Sequence, residues 1–148
     1  MYLGYQNGQI KFYTDEPLDQ EFYNLEKVEE TDLEYVLDGE EYVLKDEAWE
    51  EKQAQKERER IAMLSLTRGD VFRGLLMAKG VTRAQLRAMI ETNELLSVVE
   101  KEMALIDFDE ALNFYRGNAL IDTVGLALGI TSEQLDKFFE TNDYTKLL

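Results

Sequence analysis

One seven-residue phrase occurs twice in this chain. Gly80-Val81-Thr82-Arg83-Ala84-Gln85-Leu86 returns as Gly129-Ile130-Thr131-Ser132-Glu133-Gln134-Leu135. Glycine stops a helix because it takes the left-handed conformation without a Cβ penalty. A Thr two residues later, with Gln three positions beyond it, is the reciprocal pattern that caps the next helix. Upstream, Phe72, Leu75 and Met77 align with Ile121, Val124 and Leu126, so an apolar helix precedes each corner. The rear of the chain is thereby committed to helix-corner-helix units. Two copies are too few for a solenoid. They are a duplicated helical hairpin or the same corner chemistry reached twice.

Other punctuation fits a helical rear half. Thr67 with Asp70 resembles a capping box with Asp in place of Glu. Asn93 is expected to cap a long helix that runs to about Arg116 and is stopped by Gly117. Within it Leu95, Leu96, Val99, Met103, Ile106 and Ala111 follow helical spacing, which predicts that this face is core. The expected rear core comprises Val71, Phe72, Leu75, Leu76, Leu86, Ile90, Leu95, Val99, Met103, Leu120, Val124, Leu135 and Phe138.

The front reads as β. Tyr2-Leu3-Gly4-Tyr5 and Ile10-Lys11-Phe12-Tyr13 flank Asn7-Gly8, a pair that favours the positive φ angles of a type I′ hairpin turn. Leu33-Glu34-Tyr35-Val36-Leu37 and Tyr42-Val43-Leu44 flank Asp38-Gly39 in the same way. With a short strand between Phe22 and Val28, a four- or five-stranded antiparallel sheet is predicted. From Asp46 to about Leu66 the chain holds no Gly, Pro or β-branched residue before Ile61, and strong helix formers dominate. Its acids come early and its bases late, which complements the helix dipole. A solvated connector helix is the plain reading, and a short coiled-coil arm is the alternative. The fold class is therefore α+β: an antiparallel β module over 1–45, a charged connector helix over 46–66 and a helical domain over 67–148.

Inventory excludes much chemistry. The 148 residues include no Cys and no His, so disulfides, Cys/His zinc sites and Ser-His or Cys-His nucleophiles are absent. Lys and Arg number 16 against 31 Asp and Glu, for a net charge of −15, which disfavours a nucleic-acid binder. No signal peptide is visible, and Ala119 to Ile130, the most apolar stretch, is too short to span a bilayer. Asp107, Asp109 and Glu110 form an acidic cluster without a known metal spacing, and a solvated face is the plainer reading. Asn113, Tyr115 and Arg116 line a surface to which no substrate is assigned. No catalytic, cofactor-binding or metal residue is expected, no cofactor is implied, and the chain reads as a non-enzyme.

Two charged surfaces stand out. Residues 67–90 hold five bases and one acid, and Arg68, Arg73, Lys79, Arg83 and Arg87 form a candidate interaction surface. A packing corner is the plain reading of this segment; an acidic protein surface, this chain's own head included, is the next alternative, and a helix-turn-helix reader using the bases for phosphate comes after it. The head holds twelve acids and three bases. Glu26, Glu29, Glu30, Asp32, Glu34, Asp38, Glu40 and Glu41 form a candidate acidic face. Such a face imitates a phosphate backbone, or simply keeps a small sheet soluble and its edges unpaired. A modest sheet and a long polar helix also leave room for a homo-oligomer.

Two stretches carry a resemblance. The first is Leu33-Glu34-Tyr35-Val36-Leu37-Asp38-Gly39-Glu40-Glu41-Tyr42-Val43-Leu44-Lys45-Asp46, continued from Trp49 to Ile61. The second is Asn113-Phe114-Tyr115-Arg116-Gly117-Asn118-Ala119-Leu120-Ile121-Asp122, continued from Leu128 to Asp136. Both resemble small tail-associated and tail-assembly-type accessory proteins of Gram-positive phages and prophages. No catalytic motif comes with the likeness. It implies a phage-encoded accessory protein that contacts a phage tail or host protein, in the host bacterial cytoplasm during infection or in the virion. Its role would be a minor tail component or a tail assembly factor. Small acidic phage proteins also include anti-CRISPR-like inhibitors of bacterial defence, so a nucleic-acid-mimicking inhibitor is the alternative.

Overall fold

Asn7 (φ 53°) and Gly8 (φ 72°) both adopt the left-handed conformation, and the chain reverses on them in a two-residue turn. In the computed structural model, which describes residues 1–148, this turn joins strand β1 (Tyr2–Gln6) to β2 (Gln9–Thr14). The register steps at Gly4/Tyr5, leaving Lys11 as the extra residue of a bulge. Strand β3 (Lys27–Glu30) pairs with the other edge of β1, giving a three-stranded antiparallel sheet of order β2-β1-β3. β1 is central, and Leu3 on it is fully buried.

The second hairpin, β4 (Tyr35–Asp38) and β5 (Glu41–Leu44), is a separate ribbon. The expected four- or five-stranded sheet is thus three strands plus two. The reason is the contact between them. Tyr13 of β2 stacks on Tyr35 and Tyr42 at 5.6 and 5.9 Å, and its hydroxyl donates to the Leu33 carbonyl. Lys11 Nζ donates to the Glu40 carbonyl at 2.8 Å. Side chains, not a backbone ladder, hold the ribbon on. Its turn also differs by one residue: Asp38 pairs with Glu41, so the turn is Gly39-Glu40. Only Gly39 has positive φ (68°), the requirement of a type II′ turn.

Helix α1 runs Glu47–Ala62 and buries no residue. The chain divides within it into two compact units, Met1–Lys56 and Glu57–Leu148. The helix stops short of residue 66 because Ser65–Thr67 is a strand, β6.

The second unit is α+β in its own right. β6 leads into α2 (Arg68–Lys79), the Gly80 corner and α3 (Arg83–Glu91). Strand β7 (Asn113–Tyr115) leads likewise into α5 (Ala119–Leu128), the Gly129 corner and α6 (Ser132–Thr141). The corners match closely. Gly80 has φ 66° and ψ 23°, Gly129 has φ 70° and ψ 25°, and Thr82 and Thr131 each close a capping box. β6 and β7 pair antiparallel with Leu66 opposite Phe114, so the repeated phrase folds as two strand-helix-corner-helix units joined through a ribbon. Close approach matters both between and within them: a Cβ on Gly74 of α2 would lie 2.4 Å from the Phe138 ring of α6, and one on Gly125 of α5 2.7 Å from Leu135 of α6.

The long helix expected from Asn93 to Arg116 is not formed. Asn93 folds a local turn instead, its side chain accepting from Leu95 N–H. Helix α4 (Val98–Glu110) starts at the Ser97 cap, and Ala111 leaves it in an extended conformation to begin β7. Phe108 is the residue α4 buries, with its ring 5.0 Å from that of Phe72. Met103 lies about 140° around the helix from Phe108. Burying Phe108 therefore turns Val99 and Met103 outward, and these two, with Leu76 and Leu95, are exposed where core was expected. Phe108, Phe114, Ile121, Ile130, Phe139 and Leu147 take their places.

Arg116 is the one buried charged residue. Alternation along the extended chain puts it on the same side as Phe114. Its Nε donates to Asp136 at 2.6 Å, Nη1 to Asp122 at 2.8 Å and Nη2 to the Ser132 hydroxyl at 2.8 Å. One guanidinium thus ties the end of β7 to α5 and α6. Arg116→Leu is expected to destabilise the unit by about 2–3 kcal/mol, because charge-assisted bonds are lost and the carboxylates regain water on their open sides. Arg116→Lys loses most of the same amount, since an ammonium cannot span the fork. Urea denaturation followed by circular dichroism measures both.

Candidate interaction surface

The helical unit carries its apolar excess on the outside. Leu95 (84 % exposed), Val99 (67 %), Met103 (63 %) and Ile106 (54 %) form a stripe along α4 and the turn before it. Beside it along α5 lie two depressions that share Leu96 and Thr123, the first facing α3 and the turn before α4, the second facing α4. The first, about 480 Å³, is lined by Met89, Leu95, Leu126 and Ala127 among others. The second, about 360 Å³, is lined by Met103, Ala104, Ala119 and Leu120 together with Glu100 and Asp107. Leu126, 75 % exposed, stands at the α5 wall. Stripe and groove form a continuous apolar feature larger than scattered surface leucines require.

Its charged groups are acidic. Glu100 accepts from the Ser97 backbone N–H at 2.7 Å, and that bond holds its carboxyl below the usual carboxylate range. Asp107 accepts from the Asn118 amide at 3.1 Å. Both carboxylates are satisfied by neutral donors and neither meets a cation. From Glu91 to Ala127 the chain holds eight Asp and Glu but only Lys101 and the buried Arg116 as bases.

The enclosed space at the centre of the unit is different in kind. It measures about 20 Å³ and is walled by Val71, Leu75, Leu86, Phe108, Phe114 and Phe138, with others of the same type. That is the size of one water and wholly apolar, so it is a packing void and not a ligand pocket.

The five basic residues named above do not converge. Arg68 Nη1 donates to the Asp109 carbonyl at 2.5 Å and its guanidinium covers the Phe72 ring. Arg73 pairs with Asp70 at 2.6 Å. Arg87 takes the Asp109 carboxylate with two nitrogens, at 3.0 and 3.3 Å, and also pairs with Glu91. The hydrogen bonds from Arg87 hold the Asp109 carboxyl below its ordinary range. Lys79 and Arg83 remain without an ion-pair partner, and only Arg73 and Arg83 border one depression, of about 370 Å³. Asp107 and Asp109 have separate partners, and no group of three or more acidic side chains is placed to hold a metal ion.

The acidic face of the first unit is also partly committed. Glu26 receives the Asn7 and Gly8 backbone N–H groups at 3.0 and 2.9 Å, bracing the first turn. Glu34 pairs with Lys45, and Asp38 with Lys52. Glu29 pairs with Lys27 and accepts from the Tyr5 hydroxyl at 2.7 Å. Glu30, Asp32 and Glu40 are exposed and Glu41 is half-buried, and none of the four carboxylates is paired with a cation.

No family model, curated protein or solved structure matches this chain. No helix is long and apolar enough to cross a membrane.

Arg116, Phe108 and Leu126 are the residues whose roles the sequence reading missed. One signal was available for Arg116: it is the only base between Lys101 and Lys137, set among acids it could pair with. None was available for Leu126 beyond its place in an apolar run.

Two expectations follow. Leu95→Ser or Met103→Gln should change stability by less than about 0.5 kcal/mol, whereas Phe108→Ala should cost about 3–5 kcal/mol; urea titration separates them. The bond to Glu29 pushes the Tyr5 phenol up to about 12. Between the unfolded value near 10 and the folded value, the folded state holds a proton that the unfolded state has lost. Stability contributed by this bond is full below pH ~10 and falls as pH rises toward ~12. Ultraviolet titration of the wild type against Tyr5→Phe should show one late-titrating tyrosine missing from the variant.

Proposed function

We propose that this chain is a non-enzymatic, phage-encoded accessory protein that works by protein–protein contact, as a minor tail component or tail assembly factor. The observation that carries the contact reading is the apolar stripe and groove of Leu95, Leu96, Met103 and Leu126, presented by a unit whose own core is complete without them. The polar groups around it support the same reading. Arg116 is spent on Asp122 and Asp136, and Asp109 on Arg87, so these charges serve the fold. The phage setting comes from the resemblance of the stretches starting at Leu33 and Asn113 to tail-region proteins.

Mass spectrometry of purified particles and of infected-cell lysate tests the setting. The protein is expected either in particles at a fixed copy ratio or in lysate bound to a tail protein. An association that survives about 0.5 M salt marks a packed interface, since screening at that ionic strength removes most surface electrostatics. Recovery on a host nucleic-acid-binding protein alone, lost as salt rises, would overturn the proposal. It would point to the acidic face, where Glu30, Asp32, Glu40 and Glu41 are free to imitate phosphate.

A further inference from the structure

The groove along α5, walled by α3, the turn before α4 and α4 itself, has a chemistry that selects its partner, and we infer that it receives an amphipathic helix whose apolar face is bordered by Lys or Arg. This inference rests on the contact reading above and specifies it. Three observations carry it: the walls of the groove, its charge and its dimensions.

The walls are helices and the turn between Thr92 and Ser97, lined by side chains. No strand edge borders the groove, so an incoming strand would find no backbone ladder, while a helix can seat leucines at i, i+3, i+4 and i+7. α5 lines both depressions from Ala119 to Ala127 and so offers about 13 Å of wall, or some two to two and a half helical turns.

The charges at the groove are of one sign and lack counter-ions. Glu100 and Asp107 lie in its lining. Both accept only neutral donors, so each has lone pairs to offer a cation. A partner with bases beside its apolar face would neutralise both. A second copy of this chain would not, because a two-fold interface sets each patch against itself and opposes carboxylate to carboxylate.

Binding of full-length protein to three fluorescein-labelled peptides tests this. One has leucines at helical spacing with lysines elsewhere. The second has glutamates in place of the lysines. The third scrambles the first, so that composition is kept and the apolar face is lost. Saturable binding of the first alone is expected. Leu126→Ser should weaken it about tenfold or more, as lost burial of a leucine predicts. The double variant Glu100→Gln, Asp107→Asn should weaken it several-fold, as should raising salt from about 0.05 to 0.5 M.

Equal binding of the lysine and glutamate peptides would overturn the basic character of the partner while leaving the contact reading intact. Equal binding of the scrambled peptide, or indifference to Leu126→Ser, would show general attraction to an acidic chain and overturn the groove assignment. No binding of any peptide would overturn the inference, and the particle measurement would still decide the function. Sedimentation that reveals a dimer dissolved by Leu126→Ser would make a second copy the occupant and overturn it as well.

Discussion

The helical unit depends on a ribbon of two three-residue strands. β6 and β7 set Leu66 opposite Phe114, and Phe114 is buried to 1 % exposure. Its ring lies 5.9 Å from Phe72, which in turn lies 5.0 Å from Phe108. Two residues past Phe114, the same strand direction delivers Arg116 to Asp122 and Asp136. A pair of short strands thus fixes where α4 must end, which side of it faces inward and how α5 and α6 are held. The outward stripe of Leu95, Val99, Met103 and Ile106 follows from that rotation.

Local punctuation was legible in the sequence. Asn7-Gly8 makes its two-residue turn, Gly80 and Gly129 end helices in the left-handed conformation, and Thr82 and Thr131 cap the next ones. These features depend on the φ preference and hydrogen-bonding reach of one or two residues, so neighbours in sequence suffice to specify them. The ribbon was not legible, since three residues are too few for an alternating pattern to emerge. Its partners also lie far apart in the chain. The helix after Asn93 shows the complementary limit. Apolar spacing identified a face on α4, but which face is buried depends on Phe72 and Phe114 from other elements. The candidate groove was hidden for that reason, because its residues looked like core.

Charge tells a similar story. A local excess of Arg and Lys over 67–90 suggested a basic surface. Folding places Asp109 and Glu91 beside Arg87 and Asp70 beside Arg73 and holds Arg68 on the Asp109 carbonyl, so the charge of Arg73 and Arg87 is answered within the unit. In the first unit, Glu26 serves the backbone of a turn instead of a partner. The groove shows the reverse. Its carboxylates are hydrogen-bonded yet not neutralised, a difference that composition alone does not express.

The two units differ in how far along the chain their contacts reach. The hairpins of the first close across two-residue turns, and closing such short loops costs little entropy. β6 has no strand partner until residues 113–115 exist, so the pairing of the ribbon is long-range, the kind that slows folding. During synthesis, α2 and α3 must wait with their apolar faces uncovered while the segment through α4 is made. The groove, whose shape requires α4 and α5 to be locked in place, exists only once that wait is over. A partner that seats there would distinguish finished chains from unfinished ones.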